Sequence, residues 1–475
     1  MTQADIGLVG LGVMGANLAL NIADNGYKVA VYNRTAEGTQ AFMEKAGHLK
    51  DMFIPCYSTE ELVANIKAPR PIILMVPAGA PVDQQISVLK DHLKDGDILI
   101  DAGNSDFNDS NRRYKELADT PFTFVGMGVS GGAEGARFGP SIMVGASETA
   151  YARIEPILKA ISAKHNGEPC VALMGPEGAG HFVKTLHNGI EYADMQMIAE
   201  VHEVMTKTLG LSIQEQAEIF TKWNEGPLAS YLVEITANVM GVVDEESGKP
   251  ILDVILDTAG QKGTGRWSAV EAHMLGVPAT GIDAAVAARC LSSARALRQE
   301  IAEIYPQSDE TLTWEEKQEG IAACERALIA GKIAAYAEGF AVLAAGGKEN
   351  GWDLPMGDIA RIWRQGCIIR SRFLDEIAQA YDENPELKSL YMAPAIAERM
   401  KDAVPGLREV LCMGISNGIP TPALSAALGS FDMIRQKRTA AYVIQGQRDF
   451  FGQHGFERTD KEGSGFHGPW PAGGA

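Results

Sequence analysis

Lys184, His187, Asn188 and Glu191 stand in the stretch HFVKTLHNGIEYADMQMIAEV at spacings i, i+3, i+4 and i+7. On a helix this spacing stacks four side chains over two turns of one face, with Tyr192 bordering the strip. An amine and a carboxyl group two turns apart address two ends of one small molecule. Proton donors and acceptors of different pKa at fixed separation are what general acid–base catalysis uses. Charges at helical spacing are ordinarily a solvated face, so the stripe gains weight only from the elements around it.

Those elements change character along the chain. From Ile6 to about Gly175 the runs IGLVG, KVAVYN, PIILMV, DILID and FTFVG read as buried strands, with segments such as TEELVANI and VDQQISVLKDHLK as helices between them. Such alternation predicts a parallel sheet covered on both faces. Beyond about Gly178 the sequence is rich in Ala, Glu, Leu, Ile and Met at helical spacing, and from about Gln445 it holds many glycines and polar groups without a period. The expected organisation is α/β: a Rossmann-like dinucleotide-binding domain over 1–177, a large all-α domain over 178–440, and a C-terminal tail over 441–475. An internal duplication of the helical part is suggested by Tyr192-Ala193-Asp194 against Tyr336-Ala337-Glu338, and by Ile219, Trp223 and Gly226 against Ile359, Trp363 and Gly366. In that alignment Lys184, His187, Asn188 and Glu191 fall on Leu328, Gly331, Lys332 and Ala335. One copy then keeps a helix without the acid–base stripe.

With 475 residues, 46% hydrophobic and 22% charged, the chain can bury the cores of two or three domains. A formal net charge of -19 repels nucleic acid and anionic membrane, so an anionic ligand needs a local basic pocket. The six cysteines (Cys56, Cys170, Cys290, Cys324, Cys367, Cys412) are scattered, which fits neither a disulfide scaffold nor a metal site. The N-terminal residues MTQADIGLVGLGVMG lack the basic-then-apolar pattern of a leader, and no run of about 18 apolar residues occurs. A cytoplasmic protein is expected.

The first strand runs into Gly10-Leu11-Gly12-Val13-Met14-Gly15 and then a helix. Gly10 permits the tight turn, Gly12 lets the backbone approach a pyrophosphate, and Gly15 allows close helix packing, while the helix N-terminus offers unpaired N–H groups to phosphates. The second strand ends at Asn33-Arg34-Thr35, where NAD-binding folds usually place an acid on the ribose hydroxyl. An amide, a guanidinium and a hydroxyl suit the extra 2′-phosphate of NADP instead. Two further strand ends, Val76-Pro77-Ala78 and the turn containing Asn104, complete a crevice at the carboxyl edge of the sheet. Asn104 is placed there to touch both cofactor and substrate.

After the FTFVG strand come Ser130-Gly131-Gly132, a hydroxyl and small residues where a polar ligand can approach backbone N–H groups. Taken with GLGVMG, NRT, Gly178-Ala179-Gly180-His181, KxxHNxxEY, GQKGTGRW and RDxFGxHGF in this order, the chain resembles the 6-phosphogluconate dehydrogenases, decarboxylating enzymes of the pentose phosphate pathway, from the first strand to the tail. The resemblance implies Lys184 as general base and Glu191 as general acid. It further implies that Asn104, Ser130, Gly131, Gly132, His187 and Asn188 line the sugar acid. Tyr192, Lys262, Thr264 and Arg289 would hold the substrate phosphate, joined by Arg448 and His454 from the tail of a second subunit. The implied partners are 6-phosphogluconate, NADP and a second copy of the chain, with no metal.

Two positions depart from the family pattern. Pro77 stands where the family usually has Lys in a Val-Lys-Ala-Gly turn, removing a charge and a backbone donor. In Ser141-Ile142-Met143-Val144-Gly145-Ala146, Val144 and Ala146 replace the usual Pro and second Gly, for which a local packing change is expected. Two other readings compete: a non-decarboxylating NAD(P)-dependent 3-hydroxyacid dehydrogenase, and an NADP-binding protein without activity. The first needs neither Glu191 nor the tail, and the second does not account for the presence of both Lys184 and Glu191.

Overall fold

The computed structural model describes residues 3–261, 263–306 and 312–470. Its first half alternates strands and helices in the order β1 (Ile6–Val9), α1 (Val13–Asp24), β2 (Val29–Tyr32), α2 (Ala36–Lys45), β3 (Phe53–Cys56), α3 (Thr59–Ala64), β4 (Pro71–Leu74), α4 (Ala80–Leu89), β5 (Ile98–Asp101), α5 (Phe107–Glu116), β6 (Thr123–Val129), α6 (Gly132–Phe138), β7 (Ile142–Gly145) and α7 (Glu148–Ile161). A short hairpin, β8 (Lys164–His165) and β9 (Glu168–Pro169), precedes β10 (Val171–Gly175). The main sheet has the order β10-β7-β6-β5-β4-β1-β2-β3.

Side chains alternate across each strand and so feed two cores. Ile6, Leu8, Val29, Val31, Ile98 and Ile100 face one buried cluster with α1 and α7, while Val9, Ala30, Ile72, Leu74 and Leu99 face a second with α3 and α4. The strand order reverses between β1 and β4, and ligands of such sheets bind outside the carboxyl ends at that point.

The expected all-parallel sheet needs one correction: β7 runs antiparallel to β6, and β10 follows β7. The connecting helix α6 has 7 residues, as does β6. At about 1.5 Å per helical and 3.3 Å per strand residue, such a helix cannot carry the chain back to the start of β6. The altered pair Val144 and Ala146 is buried here, Val144 within β7 itself.

From Ala179 the chain is helical: α8 (Ala179–Leu209), α9 (Ile213–Trp223), α10 (Tyr231–Met240), α11 (Ile251–Val254), α12 (Thr264–Met274), α13 (Thr280–Ser293), α14 (Arg295–Ile304), α15 (Lys317–Asn350), α16 (Met356–Ile362), α17 (Phe373–Glu383), α18 (Pro394–Ser416), α19 (Pro422–Ile434) and α20 (Ala441–Gly452). The long helices α8 and α15 form the centre. They approach closely where a Cβ on Gly331 would stand 2.7 Å from Met197 Sδ, and one on Gly339 2.5 Å from Ile190 Cδ1. Among the described residues, α15 alone is long and apolar enough to cross a membrane, yet 83% of its most apolar window is buried inside the protein.

The chain divides into two compact units, one running to Ala427 and one from Leu428 onward. The second unit contains α20, a helix in the stretch where no period is legible. Asp449 is the one buried residue that α20 has, and its apolar side chains Tyr442, Val443, Ile444, Phe450 and Phe451 are exposed.

Candidate active site

Helix α8 starts at the edge of the sheet because glycines remove the side chains that would hold it away. A Cβ on Gly180 would lie 2.5 Å from Met143 O and 2.6 Å from Gly126 O, and one on Gly128 would lie 2.5 Å from Lys184 Cβ. Lys184 therefore lies directly against β6, whose end carries Ser130. Gly131 has φ +106, and a Cβ there would meet Gly366 O at 2.5 Å, which seats the Ser130–Gly132 turn on the segment before α17.

At this junction four of the expected residues meet. Lys184 Nζ donates to Asn188 Oδ1 at 2.7 Å and to Ser130 Oγ at 3.1 Å, and lies 3.4 Å from His187 Nδ1. His187 Nε2 is 3.1 Å from Ser130 Oγ, and its Nδ1 is 3.0 Å from Asn188 Oδ1 and 3.8 Å from Glu191 Oε2. Lys184, His187 and Asn188 are buried, whereas the Glu191 side chain keeps 21% of its surface exposed. The stripe is thus a buried, hydrogen-bonded cluster rather than a wet helix face.

Burial costs a charged group its hydration, and this sets the protonation of the cluster. It pushes the Lys184 ammonium pKa below its ordinary value, against the opposing pull of Glu191 and Cys367. Burial and the neighbouring Lys184 hold His187 well below the ordinary range, so the ring is neutral. Burial raises the Glu191 carboxyl, with Lys184 and Arg289 opposing the rise and Asp194 adding to it. Burial thus shifts the amine and the carboxyl group on this helix face toward each other, the direction that suits a base and an acid.

One position along, Tyr192 is buried with Arg289 of α13 over its ring, Cζ 4.5 Å from the centroid. Gly265 leaves room for that ring, since a Cβ there would lie 2.5 Å from it. Thr264 begins α12 and is buried, and Arg289 Nη1 donates to Gly260 O at 3.1 Å. Tyr192, Thr264 and Arg289 thus frame the end of the site beyond Glu191. Lys262 lies outside the described residues. Arg448 and His454 are exposed in the second unit, where Arg448 Nη1 donates to Gln445 Oε1 at 3.1 Å.

The residues expected to meet the cofactor stand at the carboxyl edge. Gly10 has φ +96 with no room for a Cβ, which would stand 2.4 Å from Met75 O, and a Cβ on Gly15 would strike Gly10 O. Gly12 instead faces open space at the N-terminus of α1, where no side chain caps the helix and Val13 and Met14 follow. That geometry fits a pyrophosphate on free N–H groups. Asn33 Oδ1 accepts from Leu11 N at 3.1 Å, and its Nδ2 donates to Thr35 Oγ1 at 3.3 Å, so the amide braces the glycine turn. Arg34 beside it is exposed, as are Pro77 and Asn104, with Val76 and Ala78 half-buried.

Arg113 is a residue that the sequence reading misses. It is 1% exposed; it donates from Nε to Asp83 at 2.7 Å, from Nη1 to Asp101 at 3.3 Å and from Nη2 to Gly79 O at 3.0 Å. Asp101 in turn accepts from Ser105 Oγ at 2.7 Å and Gly103 N at 3.1 Å. One guanidinium thereby ties the Val76–Gly79 turn to the turn bearing Asn104. Its only sequence signal is a charged residue on a polar helix, which is indistinguishable from a surface arginine. Trp363, 5.5 Å from His187 ring to ring, and Cys367 close the site from the α16 side.

Comparison with known proteins places the chain in a family. Residues 5–175 match the NAD binding domain of 6-phosphogluconate dehydrogenase, and residues 180–470 match the 6-phosphogluconate dehydrogenase C-terminal domain. The NADP(+)-dependent, decarboxylating 6-phosphogluconate dehydrogenase of Bacillus subtilis is 47% identical over 99% of this chain and 100% of its own length. The NAD(+)-dependent, decarboxylating one of the same organism is 45% identical over 98% and 99%. A solved structure of the Plasmodium falciparum 6-phosphogluconate dehydrogenase, described in its apo form and in complex with its cofactor NADP+ and its substrate 6-phosphogluconate, aligns with a TM-score of 0.95 at 42% identity, covering 98% of this chain and 100% of that one. The chain belongs to the 6-phosphogluconate dehydrogenase family.

Proposed function

We propose that this chain oxidatively decarboxylates 6-phospho-D-gluconate to D-ribulose 5-phosphate and CO2 while reducing NADP to NADPH. The observation that carries the reading is the buried Lys184 amine held by Ser130 and Asn188 on the same helix face as a carboxyl group, Glu191, whose pKa is raised. NADP, when bound, supplies the hydride acceptor.

The neutral Lys184 takes the proton of the 3-hydroxyl as the hydride leaves C3. The resulting 3-keto acid has its carboxylate β to the carbonyl. Protonated Lys184 then stabilises charge developing on the carbonyl oxygen as CO2 departs. Glu191 delivers a proton to C1 of the enediol, giving the ketone. Ser130, Gly131, Gly132, Asn104, His187 and Asn188 hold the sugar acid. Tyr192, Lys262, Thr264 and Arg289 receive the phosphate with Arg448 and His454 of a second copy. Charge-assisted bonds from Arg and Lys provide the grip that a chain of net charge -19 would otherwise lack.

Asn33 is spent on bracing Leu11 and Thr35, so the exposed Arg34 is the group left to meet a 2′-phosphate. NADP is the cofactor this favours. The functional division is cofactor binding by 1–177, substrate binding and dimerisation by 178–440, and completion of the partner's site by 441–475.

A homodimer is supported by α14, which has no buried residue and exposes Leu297, Ile301 and Ile304 at 56%, 46% and 69% on one helical face. Six free thiols, four of them buried, support a reducing compartment, taken as the cytoplasm. The test is substrate discrimination. The protein should reduce NADP with 6-phosphogluconate and far more slowly with unphosphorylated gluconate; equal rates would remove the phosphate site from the account.

A further inference from the structure

Arg289, which the proposed function sets on the substrate phosphate, rides on a thinly anchored helix. Of the 14 residues of α13, only Gly281, Ile282 and Ala285 are buried, all near its amino end. Arg289 stands about one turn beyond the last of them, so its position is inherited from that end. The amino end is clamped by one carboxylate from the central helix α15. Glu338, 5% exposed, accepts from Thr280 Oγ1 at 3.0 Å and Gly281 N at 3.1 Å on Oε1, and from Gly281 N at 3.0 Å and Ile282 N at 3.3 Å on Oε2. A Cβ on Gly281 would stand 3.2 Å from Glu338 Oε2, so a larger residue would crowd the clamp.

We propose that Glu338 is a positioning residue for the phosphate end of the site: by fixing the amino end of α13 to α15 it sets where Arg289 stands against Tyr192 and Gly260. The clamp satisfies N–H groups that a helix start leaves unpaired, at the positive end of the helix dipole. At its other end α13 reaches the site through the Arg289 guanidinium over the Tyr192 ring and the Nη1 bond to Gly260 O. A shift of the amino end moves both contacts together. Glu338 touches no substrate, and its effect passes through Arg289 alone.

The inference rests on Arg289 gripping the phosphate, so the experiment tests that first. KM and kcat for 6-phosphogluconate are measured on full-length Arg289→Ala, Glu338→Gln, Glu338→Asp and the Glu338→Gln/Arg289→Ala double variant. Arg289→Ala should raise KM strongly. Glu338→Gln should raise KM about tenfold, the scale of losing one hydrogen bond to a charged group, with kcat little changed. The double variant should have the KM of Arg289→Ala alone, because both changes remove one interaction. Glu338→Asp should recover most of the loss. Should Glu338→Gln fail to fold, Thr280→Val removes one donor from the clamp and should raise KM in the same direction. An unchanged KM for Arg289→Ala would overturn the phosphate reading and the inference with it. A raised KM there combined with an unchanged one for Glu338→Gln, or fold-changes that multiply in the double variant, would overturn the inference alone.

Discussion

Lys184 must be an amine when it takes a proton from substrate and an ammonium when it stabilises the departing charge. Burial lowers its pKa, toward that switch, and the Glu191 carboxylate opposes the shift. Glu191 is displaced the other way by the same burial. The working state of the pair carries one proton, so kcat/KM should be bell-shaped in pH. On the acid side a second proton converts Lys184 to ammonium and removes the base; on the alkaline side loss of the proton from Glu191 removes the acid. The two limbs belong to the coupled pair rather than to either residue. In Glu191→Gln the alkaline limb should vanish from a much slower residual reaction, and a limb that stays in place would assign it elsewhere. Lys184→Ala should lower kcat by about 10³-fold, within the range for losing a general base, while NADPH binding measured by fluorescence stays near normal; turnover close to wild type would remove Lys184 from the chemistry. The side chains of this site were legible because helical spacing is fixed. Their partners across the fold were not: nothing local announces that Gly128 lets Lys184 reach Ser130, or that Arg113 joins two cofactor turns.

The same helix occurs at element scale with and without chemistry. Helices α8 and α15 have 31 and 34 residues and pack as a central pair, and the sequence alignment sets Lys332 against Asn188. Lys332 is fully buried in an ion pair with Asp194 of α8, with Ser230 Oγ at 3.4 Å. The position aligned with a proposed substrate contact on α8 is thus occupied on α15 by a residue that holds the pair together. Cutting one partner leaves a buried charge, so Lys332→Met should destabilise the fold by about 3–5 kcal/mol in urea unfolding. Little change would mean that Asp194 finds another partner. At the end of β2, Arg34→Ala should raise KM for NADP by about tenfold or more, from the loss of a charge-assisted bond, and leave that for NAD nearly unchanged; parallel changes would remove Arg34 from 2′-phosphate recognition. The order of strands and helices was readable from period alone. The reversal at β7 was not, because it depends on the length of α6 relative to β6. Helix α20 was hidden because it presents no apolar face to its own chain.

In the whole molecule, the proposed function divides labour between two copies of the chain. The second unit exposes Tyr442, Val443, Ile444 and Phe451 beside Arg448 and His454, a surface with both apolar contact area and basic side chains. Asp449 organises it, accepting from His467 Nδ1 at 2.7 Å, Trp470 Nε1 at 2.7 Å, Gly455 N at 2.9 Å and Gly468 N at 2.9 Å. Truncation before Arg448 should therefore raise KM for 6-phosphogluconate on the order of a hundredfold, the scale of losing two bonds to charged groups; an unchanged KM would reject the shared site. The central claim is that one site both oxidises and decarboxylates. Supplying 6-phosphogluconate labelled at C1 with NADP, and following NADPH absorbance and released labelled CO2 in the same sample, tests it most directly. The account predicts one CO2 for each NADPH throughout the reaction; NADPH formed without CO2 would contradict it.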